Sequence, residues 1–200
     1  MKYISKLKKS ILSSIVIISG GMLSSVSMAH AYDGQITFHG KISAATCEIS
    51  GGNTNGTETN SPDFVVTLPT VSSMAFKSVG EKAGDTDFFI KLKGDNCKPG
   101  NGYAIKFERI SSNGFIDAKT GYLKNTNTTA AGAKNVQLVI SDENKNPFDF
   151  TTTNDTSPTK NRGENDTETI FNFGVQYVST AASVTGGEVE GNIYYSVVYP

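Results

Sequence analysis

The sequence predicts an all-β protein built as a sandwich of two packed sheets. Apolar residues recur at every second position in seven separate segments, which is the period of a strand with one buried face. No stretch repeats apolar residues at helical spacing for more than a turn or two. The connections between the segments are rich in Asn, Thr and Gly, as turns and loops are.

Residues 1–31 are predicted to be a signal peptide. Four lysines among the first nine residues precede a largely apolar stretch, 11–26, and Ala29-His30-Ala31 is a small-x-small cleavage signal. The alternative is a membrane anchor, but the uninterrupted apolar run is shorter than the roughly 20 residues that a spanning helix needs. We therefore expect export, with the mature chain beginning at Tyr32.

The mature chain is expected to be one mildly acidic domain. Four of the 18 basic side chains and none of the 19 acidic ones lie in residues 1–31, so 14 basic side chains remain against 19 acidic ones, a net charge of −5. A mildly negative net charge gives no indication of a basic patch that would bind nucleic acid or anionic lipid. We expect no nucleic-acid partner.

The first alternating segment opens the mature chain. Polar residues stand between the members of its apolar face, which are Gly34, Ile36, Phe38, Gly40 and Ile42. The periodicity does not decide whether this face packs on the chain's own core or on another chain, since a donated strand presents the same face as a retained one.

Six further segments show the same alternation, at 64–68, 88–92, 103–107, 136–140, 171–177 and 189–199. The last runs to the penultimate residue, with an apolar face of Val189, Gly191, Ile193, Tyr195, Val197 and Tyr199. A chain that ends on a regular amphipathic strand usually has that strand paired in a sheet.

Long polar connections separate these strands, chiefly at 50–62 and 151–169, and we expect them to be mobile surface loops. A shorter one, 142–147, resembles the start of a calcium loop. However, Pro147 stands where an EF-hand needs Gly and Thr153 where it needs Glu, which favours a hairpin turn.

Two cysteines, Cys47 and Cys97, lie in the mature chain. An exported chain with two cysteines most simply forms one disulfide, and the alternative is a pair of free buried thiols. Closing a loop of about 50 residues is worth roughly 4 kcal/mol in the chain-entropy account.

The inventory of reactive side chains argues against an enzyme. The mature chain has one histidine, His39, on the polar face of the first strand, and too few Cys or His residues for a zinc site. Carboxylate pairs such as Asp85/Asp87 occur, as a glycosidase would need, but the chain has no Trp on which a sugar could stack in a cleft. We expect no catalytic residue, no cofactor and no metal.

The mature chain resembles the major structural subunits of chaperone–usher pili, of the type 1 fimbrial kind. The resemblance rests on an ordered set of motifs. These are the Gly-x-Φ-x-Phe-x-Gly-x-Φ opening at 34–42 before Thr46-Cys47, the Phe88-Ile90-Leu92 strand before Cys97, Gly121-Tyr122-Leu123, the strand from Val136 leading to Pro147, Phe171 to Tyr177, and Gly187 twelve residues before Tyr199.

The resemblance implies an immunoglobulin-like sandwich that lacks its final strand, which the next subunit supplies. Residues 32–42 would be the donor strand and 43–200 the sandwich domain, with Gly40 at a shallow position of the neighbour's groove. The strand from Gly187 to Tyr199 would form one wall of the chain's own groove and the contact for a periplasmic chaperone. Identical or related pilin subunits and an outer-membrane usher are the other implied partners, and the filament would be a surface fimbrium.

Two features depart from the family pattern, namely the long connections 50–62 and 151–169 and the terminal Pro200, which cannot donate a last ladder hydrogen bond. Three alternatives stay open. They are a minor or adaptor subunit of the same machinery, a self-contained secreted carbohydrate-binding sandwich, and a secreted hydrolase. A host-surface receptor is not identified by any motif.

Overall fold

The computed structural model describes residues 46–100 and 102–199. The described part is almost entirely β, apart from one 3₁₀ turn at Ser73–Ala75. Its strands are β1 (Glu48–Asn53), β2 (Lys82–Lys93), β3 (Gly102–Phe107), β4 (Leu123–Lys124), β5 (Val136–Ser141), β6 (Lys160–Asn161), β7 (Glu168–Ser179) and β8 (Tyr195–Val198). Within it, no helix is long and apolar enough to cross a membrane.

The strands form two antiparallel sheets. One has the order β1-β2-β7-β5-β4 and the other the order β6-β3-β8. Their inner faces are the alternating apolar residues found in the sequence, so the predicted sandwich is confirmed. Phe107 lies at the centre, with Phe148, Phe150 and Phe173 at ring-centroid distances of 5.2, 5.9 and 5.3 Å.

Four predicted strands coincide with observed ones, namely β2, β3, β5 and β7. The segment 64–68 is extended but joins no ladder, so its prediction as a sheet strand is wrong. The strand from 189 to 199 is in a ladder only at Tyr195–Val198. Residues 50–53, predicted to open the loop 50–62, belong to β1 instead. The backbones of Gly51 and Gly52 pair with β2, but glycines have no side chains to show the apolar alternation of a strand.

The connection 151–169 is not the surface loop that its composition predicts. Asp155, Ser157 and Arg162 are buried in it. The Phe107 N–H donates to the Asp155 carbonyl at 2.7 Å, and the Ser157 N–H to the Ile105 carbonyl at 2.8 Å. The connection therefore covers the edge of β3 that faces away from β8. The turn at 142–147 is a hairpin turn, in which the Asp142 N–H donates to the Asn146 carbonyl at 2.9 Å.

Cys47 and Cys97 form a disulfide, with their Cα atoms 4.7 Å apart. Beside it, the buried Arg162 guanidinium donates to four backbone carbonyls. These belong to Gly94 and Cys97 on the disulfide side and to Asp166 and Thr167 on its own connection. Arg162 thus ties the long connection to the disulfide end of the domain.

We expect Arg162→Met to destabilise the domain by about 3 kcal/mol, because it removes the hydrogen bonds of a buried guanidinium to four carbonyls, including the buried Cys97 carbonyl. Urea unfolding of the mature, disulfide-bonded chain would measure the change in the free energy of unfolding. Lys119→Met, at an exposed position, is the control and should change it by less than about 0.5 kcal/mol. Equal effects of the two substitutions would contradict this role for Arg162.

Candidate functional site

Two extended segments carry apolar side chains that pack on the core, and we interpret the space between these segments as a groove. We call residues 64–68 the first wall and residues 189–199 the second wall. Their inward-facing side chains pack on the core, yet each stays only partly buried. They are Phe64, Val66 and Leu68 on the first wall, and Val189, Ile193, Tyr195, Val197 and Tyr199 on the second.

The second wall presents one hydrogen-bonding edge to the groove. Its other edge is used, since β8 pairs with β3 and the Glu108 N–H donates to the Tyr194 carbonyl at 2.8 Å. Successive residues of a strand direct their N–H and C=O groups to opposite edges. The groups of Tyr195 and Val197 therefore face the groove.

The same alternation continues upstream on the second wall. The Ala133 N–H donates to the Glu188 carbonyl at 2.9 Å, and the Thr126 N–H to the Glu190 carbonyl at 2.7 Å. Glu188 and Glu190 are thus bonded away from the groove. The backbone groups of the residue between them, Val189, face into it.

The first wall presents the opposite edge. The Thr67 N–H donates to Asn53 Oδ1 and Asn53 Nδ2 donates to the Thr67 carbonyl, both at 2.9 Å. Thr67 therefore faces β1, and the backbone groups of Val66 and Leu68 face the groove. No hydrogen bond between described residues uses the backbone groups of Phe64, Val66 or Leu68.

The two walls run antiparallel. At one end the Tyr195 hydroxyl donates to the Pro62 carbonyl at 2.7 Å, and the Phe64 and Tyr195 rings lie 6.2 Å apart. At the other end Val71 and Val189 line a cavity of about 450 Å³. A single strand placed between the walls would run parallel to one and antiparallel to the other, and could bond to both.

The groove is not equally deep along its length. An ideal Cβ placed on Gly191 would lie 2.7 Å from Leu138 Cδ1, closer than real Cβ contacts. Leu138 therefore fills the space beneath Gly191 and makes the groove shallow there. Next to it, at Val189, the groove opens into the cavity.

Tyr195, on the second wall, has a shifted pKa. Burial raises the pKa of the Tyr195 hydroxyl to about 12, and the nearby Asp63 carboxylate adds to the shift. No cluster of three or more His, Cys, Asp or Glu in residues 46–100 and 102–199 could hold a metal ion. The arrangement supplies hydrogen-bonding edges and apolar contact, which is what a β-strand from another chain requires.

The predicted site residues fall into three groups. Six residues of the last predicted strand lie together on the second wall, at positions 189, 191, 193, 195, 197 and 199. Gly187 lies just before them, with its backbone against Ala131 and Ala133. The predicted donor-strand residues Gly34, Ile36, Phe38, Gly40 and Ile42 lie outside the described residues.

The sequence did not identify the first wall, Asn53 or Leu138 as parts of the site. The alternation at 64–68 was visible, but periodicity does not reveal whether the edges of a strand are bonded. Nothing in the spacing of Asn53 and Thr67 indicates that their amide groups meet.

Comparison with known proteins places these features in context. The family described as "Fimbrial protein" matches residues 36–200. The major fimbrial subunit SMF-1 of Stenotrophomonas maltophilia is 34% identical over 186 residues, covering 86% of this chain and 95% of the relative. The minor fimbrial subunit HifD of Haemophilus influenzae is 29% identical over 178 residues, covering 86% and 76%. Relatives thus include major and minor subunits, and they are structural proteins rather than enzymes.

Solved structures agree on the fold. A type I fimbria protein of Burkholderia pseudomallei has a TM-score of 0.50 at 29% identity, covering 77% of this chain and 89% of that one. The P pilus rod subunit PapA also has a TM-score of 0.50, at 13% identity, covering 70% and 94%. The immunoglobulin-like sandwich predicted from the sequence is confirmed.

The raised pKa of Tyr195 predicts a loss of stability at alkaline pH. Because the pKa in the folded state, about 12, lies above the ordinary value of 10, the contribution is complete below pH 10 and is lost as the pH rises towards 12. The free energy of unfolding of Tyr195→Phe should fall less steeply over this range than that of the wild type. Overlapping pH profiles in chemical denaturation would contradict the prediction, and Tyr194→Phe controls for the loss of an exposed neighbouring hydroxyl.

Proposed function

The chain belongs to the fimbrial protein family, and from that premise we propose that it polymerises head to tail by donor-strand exchange. As a fimbrial subunit it is a structural, non-enzymatic component of a surface fimbrium, in which related subunits assemble with one another. The proposal concerns the contact that joins them. In it, residues 32–42 of one copy fill the groove of the next.

One observation carries the proposal, namely two antiparallel strand edges that face each other across half-buried apolar side chains. Strand edges of this kind are a ready template for pairing with another chain. A strand between them would bond to both walls and cover the row from Val189 to Tyr199. The opening segment of the mature chain has the apolar, period-two face that such a strand needs.

The depth of the groove favours one register. Gly40 would lie opposite Gly191, where Leu138 leaves no room for a side chain. If the donor runs antiparallel to the second wall, Ile42 then enters the cavity beside Val189. The remaining pairs are Phe38 with Ile193, Ile36 with Tyr195, and Gly34 with Val197. A parallel donor with the same glycine pair would extend past residue 189 and leave 195–199 uncovered.

In this register, chain length favours a donor from another copy. The Cys47 N–H donates to the Tyr199 hydroxyl at 3.1 Å, so Cys47 lies at the Tyr199 end of the second wall. In the proposed register Ile42 lies at the Val189 end, ten strand residues or about 33 Å away. The five-residue span from Ile42 to Cys47 reaches at most about 18 Å. A head-to-tail contact of this kind does not close on itself and builds a filament.

Before exchange, the groove would need a temporary occupant. We propose that a periplasmic chaperone holds the strand from Gly187 to Tyr199 after export under the signal peptide 1–31, and that an outer-membrane usher receives the complex. The reason is physical, since unfilled strand edges beside apolar side chains promote aggregation. Whether the chain is the major subunit or a minor one depends on its copy number in the fimbrium.

The proposal predicts non-covalent polymers that resist SDS until they are heated. Surface-sheared material from cells that express the protein with its neighbouring export genes should give a ladder of high-mass species. Boiling should collapse the ladder to one band of mature size. Deletion of residues 32–42 should abolish the ladder while the chain is still exported. A single monomer band from the wild type, with and without boiling, would overturn the proposal.

Gly40→Leu tests the register. We expect it to reduce polymer formation at least tenfold, because the new side chain would collide with the Leu138 ridge and overpacking of this kind costs about 1–3 kcal/mol. Lys41→Leu adds the same side chain on the outward face and should leave the ladder intact. Normal assembly of Gly40→Leu would exclude the pairing of Gly40 with Gly191.

A further inference from the structure

We propose that Asn53 is a positioning residue that holds the first wall where an incoming strand can bond to it. The inference rests on the proposed function, since it assigns a role within the same groove. Among the described residues, the two hydrogen bonds between Asn53 and Thr67 are the only ones that join residues 64–68 to the rest of the domain.

The backbone of Asn53 is held in place by the pairing of β1 with β2. It is the last residue of β1, paired with Phe88 on β2, and the following Thr54 N–H donates to the Asp87 carbonyl at 3.0 Å. Its side-chain amide offers one donor and one acceptor to Thr67, as the backbone of a neighbouring strand would. The Asn53 side chain therefore makes the pair of hydrogen bonds to Thr67 that the backbone of a neighbouring strand would otherwise make.

Asn53, Thr67 and Asp87 line an open cleft of about 860 Å³ next to the first wall. Phe64 packs against Gly51, and an ideal Cβ on that glycine would lie 2.5 Å from the Phe64 ring. That apolar contact brings the wall to the sheet, but hydrogen bonds are directional and set its register.

The second wall, unlike the first, is joined to the rest of the domain by backbone hydrogen bonds along most of its length. β3 bonds to β8, and the segments around Thr126 and Ala133 bond to Glu190 and Glu188. A change at Asn53 should therefore alter the first wall and leave the second in place. The donor residues whose N–H groups face the first wall are, in the proposed register, those with outward side chains, such as His39.

The experiment measures release of a donor peptide from the full mature chain. Chains with Asn53, Asn53→Asp or Asn53→Ala are refolded with an excess of a fluorescent peptide of residues 32–44, and the monomeric complex is isolated. An unlabelled peptide then displaces it. Asn55→Asp, a neighbouring asparagine that also lines the cleft, is the matched control for charge.

We expect both Asn53 variants to release the peptide about tenfold faster than the wild type, because hydrogen bonds along the first wall lose their alignment. Asn55→Asp should change the rate by less than about twofold. Two modified peptides separate positioning from general destabilisation. N-methylation at His39 removes a bond to the first wall, and N-methylation at Phe38 removes one to the second.

The Asn53 effect should shrink to about twofold with the His39-methylated peptide and persist with the Phe38-methylated one, since only contacts on the same wall are coupled. Equal acceleration with all three peptides, or by Asn55→Asp, would overturn the role of Asn53. A wild-type chain that forms no complex with the unmodified peptide would instead overturn strand exchange, and this inference with it.

Discussion

The organisation of the domain depends on two strand edges that face each other with no described residue bonded between them. Burying apolar side chains and pairing strand edges normally go together in a sheet, because the backbone groups beside a buried face must find partners. In the groove, burial of the apolar side chains occurs without pairing of the backbone edges. The side chains from Phe64 to Leu68 and from Val189 to Tyr199 already pack on the core, while no described residue bonds to the backbone edges that face the groove.

The rest of the fold makes this arrangement tolerable. The aromatic cluster around Phe107 and the five-stranded sheet supply the core on which the groove side chains pack. The connection 151–169 closes the second edge of β3, and Arg162 ties that connection to the disulfide end. These contacts leave the facing edges of the two walls without a hydrogen-bonding partner among the described residues. The groove therefore stays open because the connection 151–169 covers an edge of β3 and no described loop covers the two walls.

Periodicity in the sequence reports which face of a segment is apolar and does not report what bonds to its edges. It located β2, β3, β5 and β7, where long alternating runs lie inside a sheet. It missed β1, since Gly51 and Gly52 interrupt the alternation, and it treated 64–68 as an ordinary strand. The buried residues in 151–169 were hidden for a related reason, because the backbone of Asp155 and Ser157 makes the contacts with β3.

The same limit explains why a shallow point would matter in the groove if it accepts a donor strand, as we propose. A donor with period-two alternation keeps its apolar face inward when it slips by two residues, so alternation alone leaves several registers nearly equal in energy. In the proposed register Leu138, which lies 2.7 Å from an ideal Cβ on Gly191, would remove this degeneracy by disfavouring a donor side chain at that position. A slip of two residues would place either Phe38 or Ile42 on that ridge. One buried leucine and one glycine can thus fix the register that hydrophobic burial alone leaves open.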